Sequence, residues 1–107
     1  MGSIRQTQVE EALAHLAGDF LARESSVKAL ITVTRAKVAP HFKTATIYFS
    51  VLPQTREGDA LKFAKRSRSD FREYIKNHAV LHPIPLVDFE IDFGEKNRQR
   101  IDELTRK

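Results

Sequence analysis

Cysteine is absent from this chain of 107 residues. Its absence excludes disulfide bonds, thiolate metal sites and cysteine nucleophiles, and it suits a reducing compartment. The four glycines, at positions 2, 18, 58 and 94, stand alone, so there is no glycine-rich loop to hold the phosphates of ATP or GTP. No apolar run approaches the roughly 18 residues of a membrane span, and no signal peptide precedes residue 5. We therefore expect no membrane partner and no cofactor.

The length and composition are those of one small globular domain. A hydrophobic share of 41% and a charged share of 30% allow a single modest core. We expect residues 1–107 to form this one domain. Residues 1–3 and about 95–107 should be poorly ordered or frayed, because the last segment has little more than Ile101 and Leu104 to hold it.

The spacing of apolar residues predicts the order α-β-β-α-β-α. Two segments have helical periodicity, and three are strand-like, the first two being joined by a short turn that is typical of an antiparallel hairpin. The elements are expected at residues 4–23, 29–38, 44–52, about 59–78 and 86–92, followed by a short charged helix. Three strands with helices packed on one face make a small α+β sandwich.

Two packing details follow from the strand patterns. Ile31 and Val33 point one way, whereas Ala36 and Val38 take the opposite phase, which requires one inserted residue. We therefore predict a β-bulge near Thr34–Arg35. The core is expected to combine both helices with the second and third strands, through Leu13, Leu16, Phe49, Phe71, Ile75 and Phe89.

Positive charge is concentrated in two central blocks, although the net charge is only +4. Residues 28–45 contain no acid, and residues 62–76 contain six basic side chains and two acids. Such blocks attract polyanions, most commonly nucleic acid, although a Lys/Arg-rich solvated face is the plainer alternative. We predict an RNA-binding surface made of Arg35, Lys37, His41, Lys43, Lys62, Lys65, Arg66, Arg68, Arg72 and Lys76.

Three motifs are fairly specific when their order and spacing are taken together. They are the segment ITVTRAKVAPHFKTATIYFS, the segment PLVDFEID, and Arg68 with Phe71. They resemble, in turn, the first hairpin, the Pro-x-Leu-x-Phe-x-x-Asp strand and the Ile-Arg-x-x-Leu element of the ribosome-binding factor A family. The resemblance runs from about Arg5 to Leu104. It implies a type II KH-like fold and a non-enzymatic factor that binds rRNA to help mature the small (30S) ribosomal subunit.

The resemblance also implies a kinked central helix. The family usually bends this helix at an Ala-x-Gly element, which stands in for the Gly-rich loop by which KH domains clamp a nucleic-acid backbone. Here Lys65 or Arg66 stands where Gly is expected, and we place the kink at Ala64, Lys65 and Ser67. The family further implies a cytoplasmic monomer that associates transiently with free small subunits; an organellar origin stays open.

Two other functions stay open. One is a KH-like module that binds single-stranded nucleic acid off the ribosome. Tyr48 and Phe42 are the aromatic residues best placed to stack on a base, although Phe42 could equally close the hairpin core. The other is an enzyme in which Asp88, Glu90 and Asp92, alternating on one strand face, bind Mg²⁺. Because no nucleophile or acid–base pair converges in the sequence, we interpret these carboxylates as the solvated face of an edge strand and predict neither catalysis nor a metal site.

Overall fold

The structure is a computed structural model that describes residues 4–25 and 27–94. Its elements are α1 (Ile4–Glu24), β1 (Leu30–Val38), β2 (Thr44–Leu52), a short 3-10 turn (Gln54–Arg56), α2 (Glu57–Arg66), α3 (Arg68–His78) and β3 (Leu86–Ile91). The predicted order is confirmed as far as the third strand. The ends that we expected to fray, 1–3 and 95–107, lie outside the described residues, and so does the predicted C-terminal helix. Within the described ranges, no helix has the length and apolar character to cross a bilayer.

The three strands form one sheet in the order β1-β2-β3. β1 and β2 are antiparallel, as expected of the hairpin, and Leu30 pairs with Leu52 at one end of it. β2 and β3 are parallel, which requires a crossover connection, and α2 and α3 supply it. The hairpin turn therefore lies at the end of the sheet where β3 begins.

A β-bulge interrupts β1 at the predicted place. The register with β2 shifts between Val33 and Arg35, so that Thr34 has no partner in the ladder. The Thr34 hydroxyl donates instead to the buried carboxylate of Asp92, just after β3, at 2.6 Å. The inserted residue allows Ala36 to be buried while Arg35 is turned outward.

The outer edge of β1 is held by α1. Gln6 Nε2 donates to the Val38 carbonyl at 2.7 Å, and the Val38 amide donates to Glu10 Oε2 at 2.8 Å. Both backbone groups of this strand residue are therefore bonded to helix side chains. Paired backbone groups do not recruit another strand, so the helix protects this part of the edge as well as covering the core.

A chain of aromatic rings crosses the core between the sheet and the helices. Phe20 of α1 lies 5.2 Å from Phe71 of α3, measured between ring centroids. Phe71 lies 5.6 Å from Phe89 of β3, which lies 6.4 Å from Phe49 of β2. These tilted and edge-on arrangements are the favourable ones for aromatic pairs. Phe71 therefore joins three elements.

Five of the six predicted core residues are confirmed as buried: Leu13, Phe49, Phe71, Ile75 and Phe89. The prediction for Leu16 was too strong, because its side chain is only half-buried at the margin of the core. The buried stripe of α1 passes through Ala17, and Leu16 lies beside this stripe.

The central helix is divided at Ser67, where α2 and α3 meet. Ser67 has φ −91° and ψ 6°, outside the regular helical region. Its buried hydroxyl donates to the Phe63 carbonyl at 2.8 Å, a bond to the preceding turn that bends helices. The kinked helix of the predicted fold is therefore present, but the break lies at one residue, since Ala64 and Lys65 remain inside α2.

Candidate nucleic-acid interface

Eight of the ten residues predicted to bind RNA lie in three groups. The hairpin end, at the β1–β2 turn, carries Lys37, His41 and Lys43. The edge group, on α2 and α3 beside β3, comprises Lys65, Arg68 and Arg72. The basic pocket, on another side of α2, contains Lys62 and Arg66 together with Val27, Lys28, Arg56 and Asp59. The remaining two residues are Arg35, on the open face of the sheet, and Lys76, exposed in the last turn of α3.

The edge group faces acidic side chains of β3. Lys65 Nζ lies 2.9 Å from a carboxylate oxygen of Asp88 and 2.9 Å from one of Glu90. Arg68 lies 3.4 Å from Asp88 and also donates to the Lys65 carbonyl at 2.9 Å. Arg72 donates to the carbonyl of Ile84 at 3.3 Å. These three cations therefore already have partners within the chain.

The ion pairs keep Lys65 and Asp88 charged over a wide pH range. Hydrogen bonds to Glu90, and then to Asp88, raise the pKa of the Lys65 ammonium above its ordinary value. Partial burial alone would raise the pKa of Asp88, but the hydrogen bonds from Lys65 and the Phe89 amide, with the charges of Lys65 and Arg68, lower it overall. The stabilisation from the Lys65–Asp88 pair is lost as pH falls through the lowered pKa of Asp88 or rises through the raised pKa of Lys65. At neutral pH both partners of this pair are charged.

The three acidic residues predicted on the third strand do not converge. Asp88 and Glu90 share Lys65, whereas Asp92 is buried against the bulge of β1. Within residues 4–25 and 27–94, no three His, Asp or Glu side chains are grouped as a metal site. Asp88 also accepts the Phe89 amide at 2.9 Å, which occupies a backbone donor on an edge strand. The geometry favours edge protection for Asp88 and Glu90, but the prediction of a solvated face is wrong for Asp92, whose side chain is buried against the bulge.

The open face of the sheet presents a stacked pair, Arg35 over Tyr48. The guanidinium carbon of Arg35 lies 4.2 Å from the Tyr48 ring centroid, and its Nε lies 3.5 Å from Asp92. A base would therefore meet the outer face of Arg35 before it met Tyr48. The other aromatic candidate, Phe42, packs against the core, and the Arg5 guanidinium lies over its ring at 5.4 Å.

The hairpin end carries exposed cations that no carboxylate of residues 4–25 and 27–94 neutralises. Lys37 and Lys43 have no carboxylate within ion-pairing distance in the part of the chain that the structure describes. The Lys43 amide donates to Nδ1 of His41 at 3.0 Å, which leaves Nε2 of this exposed ring as the outward nitrogen. The group can therefore offer charge and a hydrogen bond to phosphates.

The hairpin end and the edge group meet where β3 begins. The Leu86 amide donates to the Lys43 carbonyl at 2.9 Å, and Arg72 contacts Ile84, two residues before Leu86. A backbone that crossed the hairpin end would therefore pass close to Arg72.

The break at Ser67 has a packing role in this structure. Its side chain is buried, and its amide donates to the carbonyls of Phe63 and Ala64, both at 3.1 Å. An amide with two acceptors is not presented to a phosphate. The predicted role of the kink as a backbone clamp therefore finds no geometric support at this residue.

The basic pocket lies on α2 and lines an open depression of about 320 Å³. The structure places Lys62 beside Arg66 in this pocket, because residues four apart are only about 40° apart around a helix. Sequence reasoning did not assign Lys28 or Arg56 to the site. Lys28 lies in the acid-poor block, which was a usable signal, whereas nothing around Arg56 distinguishes it from a solvated turn residue.

Comparisons with known proteins agree with the fold. The sequence model of a family described as "Ribosome-binding factor A" matches residues 5–105. A ribosome-binding factor A of Bradyrhizobium sp. (strain ORS 278) is 28% identical over 110 residues, which cover 98% of this chain and 80% of that protein. The crystal structure of ribosome-binding factor A from Thermus thermophilus superposes with a TM-score of 0.70 at 18% identity, covering 80% of this chain and 94% of that one. A solution structure of a Thermotoga maritima protein, described as a putative ribosome binding factor A, gives 0.67 at 21% identity, with 84% and 89% covered. The KH-like α+β fold is thereby confirmed.

Proposed function

The chain belongs to the ribosome-binding factor A family, and from this premise we propose that it is a non-enzymatic assembly factor that binds the rRNA of the small ribosomal subunit. The observation that carries the proposal is the family match over residues 5–105. The exposed cations of the hairpin end support it, because rRNA is the polyanion that such a surface would meet on a ribosomal subunit.

The mechanism that we propose is electrostatic docking to the rRNA backbone. Lys37 and Lys43 contact phosphates, which position the protein without reading sequence. The outer face of Arg35 supplies a place for one unpaired base. By occupying this backbone the factor holds rRNA in an immature arrangement, and it leaves when the rRNA rearranges. Contacts of this kind are weakened by salt, which suits transient association.

Sedimentation tests the proposal directly. The purified full chain is mixed with small subunits, large subunits or polysomes and centrifuged through sucrose at several salt concentrations. We expect comigration with free small subunits that declines as salt rises, and little with the other two. Equal association with both subunits would contradict the proposal. Equal affinity for small subunits and for deproteinised single-stranded RNA would favour a KH-like module that acts off the ribosome.

The acids of β3 should compete with rRNA for the edge group. Replacing Asp88→Asn together with Glu90→Gln releases Lys65 and Arg68 from their ion pairs. We expect affinity for small subunits to rise about tenfold, and the slope of log affinity against log salt to steepen by roughly one unit for each new phosphate contact. Stability should change by less than about 1 kcal/mol per pair, because these pairs are partly exposed. Filter binding at several salt concentrations measures the affinity and its slope.

A control separates released cations from a general gain of positive charge. Asp70→Asn with Glu73→Gln removes the same charge from exposed positions on α3 that hold no cation of the edge group. If both double variants bind with the same slope, Lys65 and Arg68 do not reach rRNA and the competition does not exist.

A further inference from the structure

The basic pocket is built from three separated parts of the chain. Val27 and Lys28 precede β1, and Arg56 follows β2. Asp59, Lys62 and Arg66 come from successive turns of α2, at spacings of three and four that place them on one side of the helix. The fold therefore brings four cations to one cavity, although only two of them are neighbours on the same helix face.

The charge of the pocket is largely uncompensated. Among the described residues that line it, Asp59 is the single carboxylate, and it pairs with Arg56 at 3.5 Å. Lys28, Lys62 and Arg66 have no carboxylate within ion-pairing distance among residues 4–25 and 27–94. Lys65 lies on the side of the same helix that faces β3, and there, by contrast, it pairs with two carboxylates. Three cations around one cavity repel each other, and an anion between them would relieve that repulsion.

The size and lining of the pocket indicate the class of ligand. A depression of about 320 Å³ is at the lower end of small-molecule sites, and it has room for a single nucleotide unit. None of the described lining residues is aromatic, so they offer no platform on which a base could stack. Arg and Lys are the side chains that bind phosphate, and two of each line the pocket. The chemistry is that of phosphate recognition without base readout.

The pocket lies at the opposite end of the sheet from the hairpin end. Lys28 and Arg56 flank the paired residues Leu30 and Leu52, whereas the hairpin turn closes the other end of the same two strands. Nine-residue strands separate these ends by roughly 25–30 Å. One phosphate could not contact both places, so the two cationic sites must engage different nucleotides.

We propose that the basic pocket binds a backbone phosphate of RNA and forms a second contact site, separate from the hairpin end. The proposal rests on the rRNA-binding function proposed above and deepens it: the protein spans two stretches of rRNA backbone. The same phosphate chemistry could be met by inorganic phosphate, so the test must separate a polynucleotide from the free ion.

The test uses the isolated full chain with an amide nitrogen label and two probes, inorganic phosphate and a ten-residue oligouridylate. In the wild type we expect the oligouridylate to shift the amide signals of Lys28, Arg56, Lys62 and Arg66. Lys62→Gln with Arg66→Gln should weaken oligouridylate binding by about tenfold to a hundredfold and reduce the salt slope by roughly two units. Inorganic phosphate should compete only at far higher concentration. Arg98→Gln with Arg100→Gln removes the same charge and is expected to change affinity much less.

The outcomes separate the pocket from the function. If neither probe shifts the pocket signals while the wild type comigrates with small subunits, the pocket proposal is overturned and the function stands. If inorganic phosphate binds as tightly as the oligouridylate, the assignment to an RNA backbone is overturned. Shifts of the pocket signals by oligouridylate, in a protein that does not comigrate with subunits, would support the pocket and contradict the ribosomal role. Equal losses in the two double variants would show that only net charge matters, and would overturn the pocket as a site.

Discussion

Replacing Phe71 with alanine is expected to lower the free energy of unfolding by about 3–5 kcal/mol, which is the usual cost of deleting a buried phenylalanine. Phe71 is fully buried, and its ring contacts Phe20 of α1 and Phe89 of β3. Its loss leaves a cavity where α1 and α3 meet the sheet. A small domain has only about 5–15 kcal/mol in total, so a large share of its stability would disappear. Urea denaturation followed by far-ultraviolet circular dichroism measures the change.

A matched substitution shows whether burial is the cause. Val80→Ala also removes apolar atoms, but Val80 is 96% exposed and should change stability by less than about 0.5 kcal/mol. Phe49→Ala should resemble Phe71→Ala, because Phe49 belongs to the same chain of rings. If the Phe71→Ala and Val80→Ala variants unfolded at the same urea concentration, the packing of α3 against the sheet described above would be wrong.

The fold could be predicted largely from local patterns of apolar residues, because each pattern indicates which side of an element is buried. The bulge is the clearest case. The phase of β1 reverses between Val33 and Ala36, and only an inserted residue lets both be directed at one core. The break at Ser67 could be placed only approximately, because it depends on how a hydroxyl bonds to the turn before it, which the residue type does not determine.

For the candidate site, the sequence predicted which basic residues are present but not how they are arranged or paired. Charge content identified the basic helix, but the partners of Lys65 come from β3, more than twenty residues away in sequence. A periodic pattern on α2 contains no information about which side faces those acids. Lys28 and Arg56 were missed because the pocket exists only once the ends of β1 and β2 are brought beside the helix. Long-range proximity of this kind is a property of the fold.

Reversing two charges at the hairpin end is expected to weaken association with small subunits by about a hundredfold, roughly tenfold for each cation. The change is Lys37→Glu with Lys43→Glu. Both side chains are exposed, and the hydrogen bonds at Lys43 are made by its backbone, so stability should change by less than about 0.5 kcal/mol. Arg68 is a poorer choice, because Arg68→Glu would place a carboxylate beside Asp88 and disturb the edge of the sheet.

Salt dependence distinguishes a real contact from a general loss of positive charge. Each lost phosphate contact should reduce the slope of log affinity against log salt by about one unit, so the double variant should lose about two. Arg98→Glu with Arg100→Glu makes the same change in net charge in a segment that holds acids as well as bases, and it should leave the slope nearly unchanged. Equal slopes and equal losses in the two variants would mean that rRNA binding depends only on net charge.

Because Lys37 and Lys43 lie far from the basic pocket, a residual salt slope in the hairpin-end variant is also expected. It should report the phosphates that the pocket still binds.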